Sequence, residues 1–520
     1  MTSDSKPTTG ASRRPRGAPA QPAPTPPPAP ASLWPGPPAL AHDAAALSLL
    51  ELPDSAPESA IRDSLYDLIP LGPLELDLMD TPAFIRLQGI KQLGFVYRVW
   101  PGATHTRFEH SLGVYYLMLR ALRTLLARAA QATQAGRAAS NDAALGRLGP
   151  ELHATLRTLL AAALLHDCGH YPFSHAIEEL GQPIIPHEQV GRRIIESGAV
   201  AEALERHGLS PNRVANLVDP PRDHELPLGD ALLIRLLSGP LDVDKLDYLP
   251  RDARGCNVPY GGVDVTRLLG ALRLLPGAPG TSHAPEVPLA TLRLGVSDKG
   301  ISPLNSLLHA RQEMFDNVYW HHTNRAMMAM LLRAVQEALL ADAITPDELP
   351  SHDDTSLLLA LAADGMPPAT RALVGALRGR RPYKTLLEVS MRAGSVFSLL
   401  DTLFWDQAKR RRVEIALAAA VNTTLADTLS EPVADHDILV DIPKPEKWEV
   451  DTLVAFAEPP LGMTSLMTWT EATGQRADDL GVYERRQRRI RIVAREAVRD
   501  AMQIRAAEVL LPMIERIPTL

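Results

Sequence analysis

The run LLAAALLH, closing the segment Leu152 to His166, offers no polar face to water over its apolar length. A helix apolar on every side must be enclosed by other elements, so the sequence predicts a helix from Leu152 to His166 near the centre of a helical domain. The helix ends on His166 and Asp167, with His170 and His175 following in HDCGHYPFSH. Ionisable groups at a core boundary cost on the order of several kcal/mol unless they are paired or metal-bound. A divalent cation is the natural partner. Imidazole with carboxylate suits Mn, Fe, Zn or Co, and Mg is not excluded by the donor set. His110 in TRFEHSLG and Asp244 in PLDVDKLDYL, each beside apolar residues on a predicted helix, are the candidates for the remaining ligands. A chance HD dipeptide is the alternative that this segment alone leaves open.

A chain of 520 residues exceeds one ordinary core. It is 45% hydrophobic and 22% charged, with only 5% aromatics and abundant Ala and Leu, which favours a soluble, mainly α fold. The formal charge of −8 argues against attraction of the whole molecule to nucleic acid or an anionic membrane. Cys168 and Cys256 make no disulfide framework, which points to the cytoplasm and to two buried small hydrophobes. Arg13, Arg14 and Arg16 lead into a Pro/Ala tract, and no stretch reaches the ~18 apolar residues of a membrane helix, so neither secretion nor a membrane span is expected.

Three regions follow: a disordered Pro/Ala-rich tail over 1–60, a helical domain over 61–345, and a smaller α+β region over 346–520. Order is expected from near Leu65. Helices are predicted over Phe108–Leu126, Asp230–Cys256 and Pro303–Ala341, with a surface insertion at Ala135–Gly149 and a strand or hairpin at Leu289–Val296. Ile438–Ile442 and Thr452–Phe456 read as strands, and Arg485–Arg505 as a basic helix.

The segments DTPAFIRLQGIKQLGFVYRVWPGATHTRFEHSLGV, HDCGHYPFSH, HEQVG and DVDKLDYLPRDA follow one another in an order that resembles the HD-superfamily phosphohydrolases. The likeness runs from about Leu71 to His322, extends to RRPYK near Arg381, and is to the dNTP triphosphohydrolase, dGTPase-like branch. It implies an HD-domain helical bundle with His110, His166, Asp167 and Asp244 as metal ligands. It implies Arg107, His170, His175 and His187 near a nucleoside triphosphate, Lys245, Tyr248 and Asp252 along the substrate pocket, and Gln92 and Leu93 against sugar and base. The reaction implied is hydrolysis of a dNTP, with dGTP a candidate preferred substrate, to deoxynucleoside and triphosphate. Arg107 and Lys245 would then hold phosphate charge, and His170 or His175 would move a proton. Glu178, three residues beyond His175, either orients it or is solvated. His187 is alternatively a helix-start residue, and Tyr248 with Asp252 a local pair at i,i+4.

Arg311, Tyr319, His322 and Arg325 lie on the predicted helix of LLHARQEMFDNVYWHHTNRAMM, which is similar to bacterial members and places His322 among the substrate-side candidates. No tyrosine follows His322 closely, and Ile85 and Gln88 do not reproduce the polar activator pocket of the vertebrate branch. Strict 2′-deoxy selectivity and nucleotide-activated assembly are therefore not expected, whereas a homo-oligomer is. Two other classes remain: an HD phosphodiesterase or nuclease acting on cyclic nucleotides or single strands, and a non-catalytic sensor in which Arg485–Arg491 contacts nucleic acid. A basic run of that kind is more often a solvated helix face or a subunit contact.

Overall fold

A computed structural model of the chain describes residues 59–137, 140–222, 225–277, 287–429, 431–446, 451–475 and 477–519. Apart from Ser59 and Ala60, the expected tail lies outside these residues. Among the described residues the fold is mainly α with three small sheets. Order begins earlier than Leu65: β1 (Ala60–Asp63) pairs antiparallel with β2 (Asp67–Pro70).

Helix α1 (Arg107–Gln134) starts where the backbone N–H of Thr106 donates to Glu109 Oε2 at 2.6 Å, half of a capping box. It runs two turns beyond the expected end because Ala127–Gln134 is rich in strong helix formers. Helix α2 (Glu151–Leu165) packs against α1 and is buried almost throughout its last three turns, as its composition demanded. The stretch between them is not a surface insertion. Asn141–Leu148 forms a 3-10 segment whose Ala143, Ala144, Leu145 and Leu148 are buried against α1. Four apolar side chains among polar neighbours were enough to dock it.

Two further helices approach the far end of α1 and α2: α3 (His187–Ile195) and α4 (Val243–Cys256). The N-cap Asp242 of α4 accepts the Lys245 N–H at 2.9 Å. Strands β3 (Leu272–Pro276) and β4 (Leu292–Ser297) are antiparallel neighbours, so Leu289–Val296 holds a 3-10 turn and an inner strand of a sheet and is not a hairpin in itself. Helices α5 (Ile301–Met314) and α6 (His322–Leu340) are separated by a π turn over Phe315–Tyr319, and α7 (Asp354–Leu361) follows.

The later chain adds strands β5 (Lys384–Ser390), β6 (Ile438–Asp441), β7 (Leu453–Ala455), β8 (Leu466–Thr468) and β9 (Arg489–Ala494). One sheet has the order β3-β4-β7-β8, with β4 and β7 parallel; another has the order β5-β9-β6. The chain beyond 345 thus completes a sheet begun at Leu272. It also shares a core with the site loop, because Tyr171 and Phe173 pack in one cluster with Leu373, Leu439 and Val493.

The basic helix expected over Arg485–Arg505 is instead a helix ending at Gln487, the central strand β9, and a helix over Glu496–Met502. In β9 the alternation is that of a strand: Ile490 and Ile492 enter one core, Val493 another. The arginines here are engaged internally, Arg491 Nε in β9 donating to Glu388 at 2.8 Å and Arg488, just before the strand, pairing with Asp401. No helix among the described residues is long and apolar enough to cross a membrane. Cys168 and Cys256 are buried thiols, each pushed up to about 12 by burial.

Candidate metal centre

His110 on the first turn of α1, His166 and Asp167 at the end of α2, and Asp244 on the first turn of α4 converge. His110 Nε2 lies 2.9 Å from Asp244 Oδ1 and 3.6 Å from Asp167 Oδ2; His166 Nε2 lies 3.4 Å from Asp167 Oδ1 and 3.9 Å from Asp244 Oδ1. The hydrogen bonds fix the tautomers. His110 Nδ1–H donates to Asp247 Oδ2 at 2.8 Å and His166 Nδ1–H to the Ala163 carbonyl at 2.9 Å. In the neutral rings each Nε2 is then a buried lone pair that faces carboxylate oxygens and no donor. Lone pairs of imidazole and carboxylate at this range repel unless a cation or an extra proton lies among them. Adjacent ligands on a cation with bonds of ~2.1 Å are themselves about 3 Å apart, which is the spacing found here. The donor set fits a divalent ion.

Charge around the cluster agrees. Burial opposes ionisation of Asp167, yet Arg107 and the neighbouring imidazoles hold it well below the usual carboxylate range. Asp244, 35% exposed and so the most accessible of the four, is held to about 2 against burial by its contact with His110. Without a metal, Asp244 and Asp247 would drive His110 up to about 10 despite complete burial. The hole demands positive charge, as a second proton or as a cation.

Behind His110 stands a network that sequence reading missed. Asp247 Oδ2 accepts from His110 Nδ1 and from Arg251 Nε, both at 2.8 Å, while Oδ1 accepts from Tyr66 Oη at 2.8 Å and Arg251 Nη2 at 2.9 Å. Arg251 in turn donates to Asp63 at 2.8 Å. The β1–β2 hairpin thereby anchors the carboxylate that orients the His110 ring, an arrangement common behind histidines that bind metals. The signal was present in DVDKLDYLPRDA, where Asp247 is three residues after Asp244 and four before Arg251 on the same face of the helix.

A second group adjoins the first. His170, His175, Glu178 and His187 offer ligand atoms within 4.8 Å of one another. Glu178 Oε1 accepts from the backbone N–H of His187 at 2.8 Å and from its Nδ1 at 2.6 Å, and Oε2 accepts from His175 Nδ1 at 3.2 Å. His187 is thus both the first residue of α3 and a member of the cluster. Its ring stacks on His170 at 3.8 Å, and His170 Nε2 is 3.1 Å from Asp167 Oδ1. Burial opposes both charges of the Glu178–His187 pair, yet each sustains the other: Glu178 stays well below its ordinary range and His187 rises to about 8. His170, buried beside Arg107 and His187, is held neutral. His175 is the accessible member, with 62% of its side chain exposed.

Of the substrate-side candidates, Arg107 is buried, with Nη1 on Asp167 Oδ2 at 2.6 Å and Nε on Ser174 Oγ at 3.0 Å. Gln92 is buried beside it with Oε1 unpartnered, and Leu93 follows at half-burial. Lys245 folds back on Asp242 and the Gly239 carbonyl. Tyr248 reaches the His110 ring edge-on at 6.5 Å, and burial raises its phenol. Asp252 bonds not to Tyr248 but to His105 Nε2 at 2.8 Å and to the Tyr319 hydroxyl at 2.7 Å. His322 stands exposed at the head of α6, against His321. Arg311 pairs with Glu446 at 2.7 Å, bringing a residue of the later chain to the Tyr248 side.

The family model for the HD domain matches residues 107–235, and that for the HD associated region matches 263–510. An uncharacterized protein of Methanocaldococcus jannaschii is 28% identical over 330 residues, covering 64% of this chain and 60% of that protein. Human deoxynucleoside triphosphate triphosphohydrolase SAMHD1 is 30% identical over 308 residues, 54% of this chain and 44% of that enzyme. The chain spans about half the length of the curated relatives it matches. A crystal structure of a hypothetical protein from Aquifex aeolicus shares the fold, with a TM-score of 0.59 at 23% identity over 86% of this chain and 99% of that one. With both models in register along it and His110, His166 and Asp167 brought together inside the first, the chain belongs to the HD superfamily.

Proposed function

We propose that the chain is a metal-dependent hydrolase of deoxynucleoside triphosphates, dGTP among them, releasing the deoxynucleoside and inorganic triphosphate. The observation that carries this reading is the pair of buried, unpartnered Nε2 atoms of His110 and His166 aimed at Asp167 and Asp244, bordered by Arg107 and three further histidines. The similarity to a named triphosphohydrolase supports the substrate class.

His110, His166, Asp167 and Asp244 would hold the ion, which supplies Lewis acidity at a phosphate oxygen and favours ionisation of water. Arg107, fixed between Asp167 and Ser174, holds phosphate charge with its remaining donors, as its planar fork allows. His187 carries a proton at neutral pH because Glu178 is ionised beside it, and adds positive charge next to His170. His175, its Nδ1 held by Glu178 and its ring open to solvent, passes a proton from Nε2 to the leaving 5′ oxygen. A water oxygen bonds to the α-phosphorus and releases a proton to solvent, the bond from phosphorus to O5′ breaks, and the proton from His175 completes the deoxynucleoside hydroxyl, solvent then reprotonating the ring. Lys245 would leave Asp242 to meet the phosphates, and the free Gln92 Oε1 would accept from a sugar hydroxyl.

The test is incubation of the purified protein and Mn or Mg with each dNTP and GTP, with products resolved by ion exchange. Triphosphate and deoxynucleoside, lost in Asp167→Ala, are expected. Cleavage of phosphodiesters alone, or intact nucleotides under every metal, would overturn the assignment.

A further inference from the structure

The loop Asp167–His175, which carries a metal-facing carboxylate and two histidines of the second group, is held from outside the HD domain. Asp354, the first residue of α7, is buried and turns its carboxylate back from the helix. Oδ1 accepts the Phe173 N–H at 2.6 Å and Oδ2 accepts the Lys91 N–H at 3.0 Å. Both N–H groups belong to site segments. Phe173 and Ser174 are buried with φ of 61° and 60°, a left-handed pair that bulky and polar L residues avoid without an external hold. Ser174 Oγ donates to the carbonyls of Lys91 and Gln92 at 2.9 and 3.1 Å and accepts from Arg107 Nε at 3.0 Å, and Arg107 reaches Asp167.

A second tie runs parallel to the first. Arg86 Nη2 donates to the carbonyls of Cys168 and His170, each at 2.9 Å, while its Nη1 donates to the carbonyl of His352 at 2.9 Å. The short segment His352–Asp354 therefore contacts the site loop twice, once directly and once through Arg86.

We infer that Asp354 is a positioning residue for hydrolysis, bridging the Lys91–Gln92 and Phe173–Ser174 segments so that Ser174 and Arg107 hold Asp167 and the His175 loop in place. This rests on the proposed hydrolase reading for its kinetic consequence but not for its structural one. A carboxylate accepts with both oxygens; an amide accepts with one and presents N–H to the other donor. Asp354→Asn must release one of the two segments while changing no atom that touches substrate or metal.

The test pairs steady-state kinetics with hydrogen exchange on the full-length chain. In Asp354→Asn, kcat on the best dNTP should fall roughly ten- to a hundredfold, the range for small misplacement of a reacting group, with KM within about twofold. Exchange at the amides of 168–176 should accelerate while α2 stays protected. Ser356→Ala is the control, because Ser356 caps the same helix through Asp353 without touching the site; it should lower the melting temperature and leave kcat unchanged. If Asp354→Asn does not fold, Asp354→Glu, which keeps the charge and shifts the carboxylate by one methylene, should show the same loss. Unchanged exchange at 168–176, or kcat falling equally in Ser356→Ala, would overturn the inference. A wild-type chain inactive on every dNTP would sink the hydrolase reading alone, and the brace would stand or fall on exchange.

Discussion

Gly113→Ala tests the network behind His110 with a single methyl group. Gly113 lies in α1 where α4 crosses it, and a Cβ there would sit 1.8 Å from Asp247 Oδ1 and 2.5 Å from Arg251 Nη2. Ordinary contact begins at 3.4 Å, so the carboxylate must retreat by about 1.6 Å, enough to break hydrogen bonds that start at 2.8 Å. Alanine would otherwise stabilise a helix interior by roughly 0.5–1 kcal/mol, so the expected sign is reversed by the clash. Disrupting a buried charged network costs about 3–5 kcal/mol, and loss of the group orienting a metal-binding histidine lowers affinity roughly 10–100-fold, or ~1.4–2.7 kcal/mol. The assay is urea denaturation of the metal-free protein together with Mn binding by equilibrium dialysis. Gly270→Ala, a helical position with nothing within 4 Å of the added methyl, serves as control and should be neutral or slightly stabilising. A Gly113→Ala protein with wild-type stability and metal affinity would refute the claim that Asp247 holds His110 in place.

His187 has its folded pKa raised to about 8, above the ~6.5 of an unfolded histidine. Its contribution to stability is therefore fully present below pH 6.5 and lost as pH rises through 8, a difference of about 2 kcal/mol; melting curves across that window should flatten in Glu178→Gln, and an unchanged slope would remove the pair as its cause. At Gly169 a Cβ would lie 2.2 Å from the His187 carbonyl and 2.3 Å from the Gly191 nitrogen. Gly169→Ala should then separate α3 from the HD loop and cost on the order of 3 kcal/mol, measured as a lowered denaturant midpoint, and a wild-type midpoint would contradict the close backbone approach.

Of the four residues that converge, His166 and Asp167 were legible from their costly surroundings, whereas the full set with His110 and Asp244 came from the family resemblance. His166 and Asp167 end a helix with no polar face, and chemistry of that kind at a core boundary needs a partner. The network behind them was less visible, since Asp247 reads as one more acidic residue in DVDKLDYLPRDA until Arg251, Tyr66 and Asp63 are seen around it. Asp354 had no local signal, because its partners lie 181 and 263 residues away. The misread of β9 has a different origin. Basic residues in ERRQRRIRIVAR suggested a solvated helix, but Ile490 and Ile492 alternate with Arg491 and Val493, and partners at Glu388 and Asp401 supply the opposite charges. Pairing with strands begun at Lys384 and Ile438 decided the structure, and no window of the sequence contains it.

The account turns on whether the lone pairs of His110 and His166 share a cation with Asp167 and Asp244. Metal content of the purified chain after Mn loading and exhaustive dialysis, measured by plasma mass spectrometry, addresses this without reference to any substrate. At least one tightly held equivalent is expected in the wild-type protein, lost in both His166→Ala and Asp167→Ala while each remains folded by circular dichroism. A wild-type chain that retains no metal, or variants that retain as much as the wild type, would contradict the metal centre and the hydrolase built upon it.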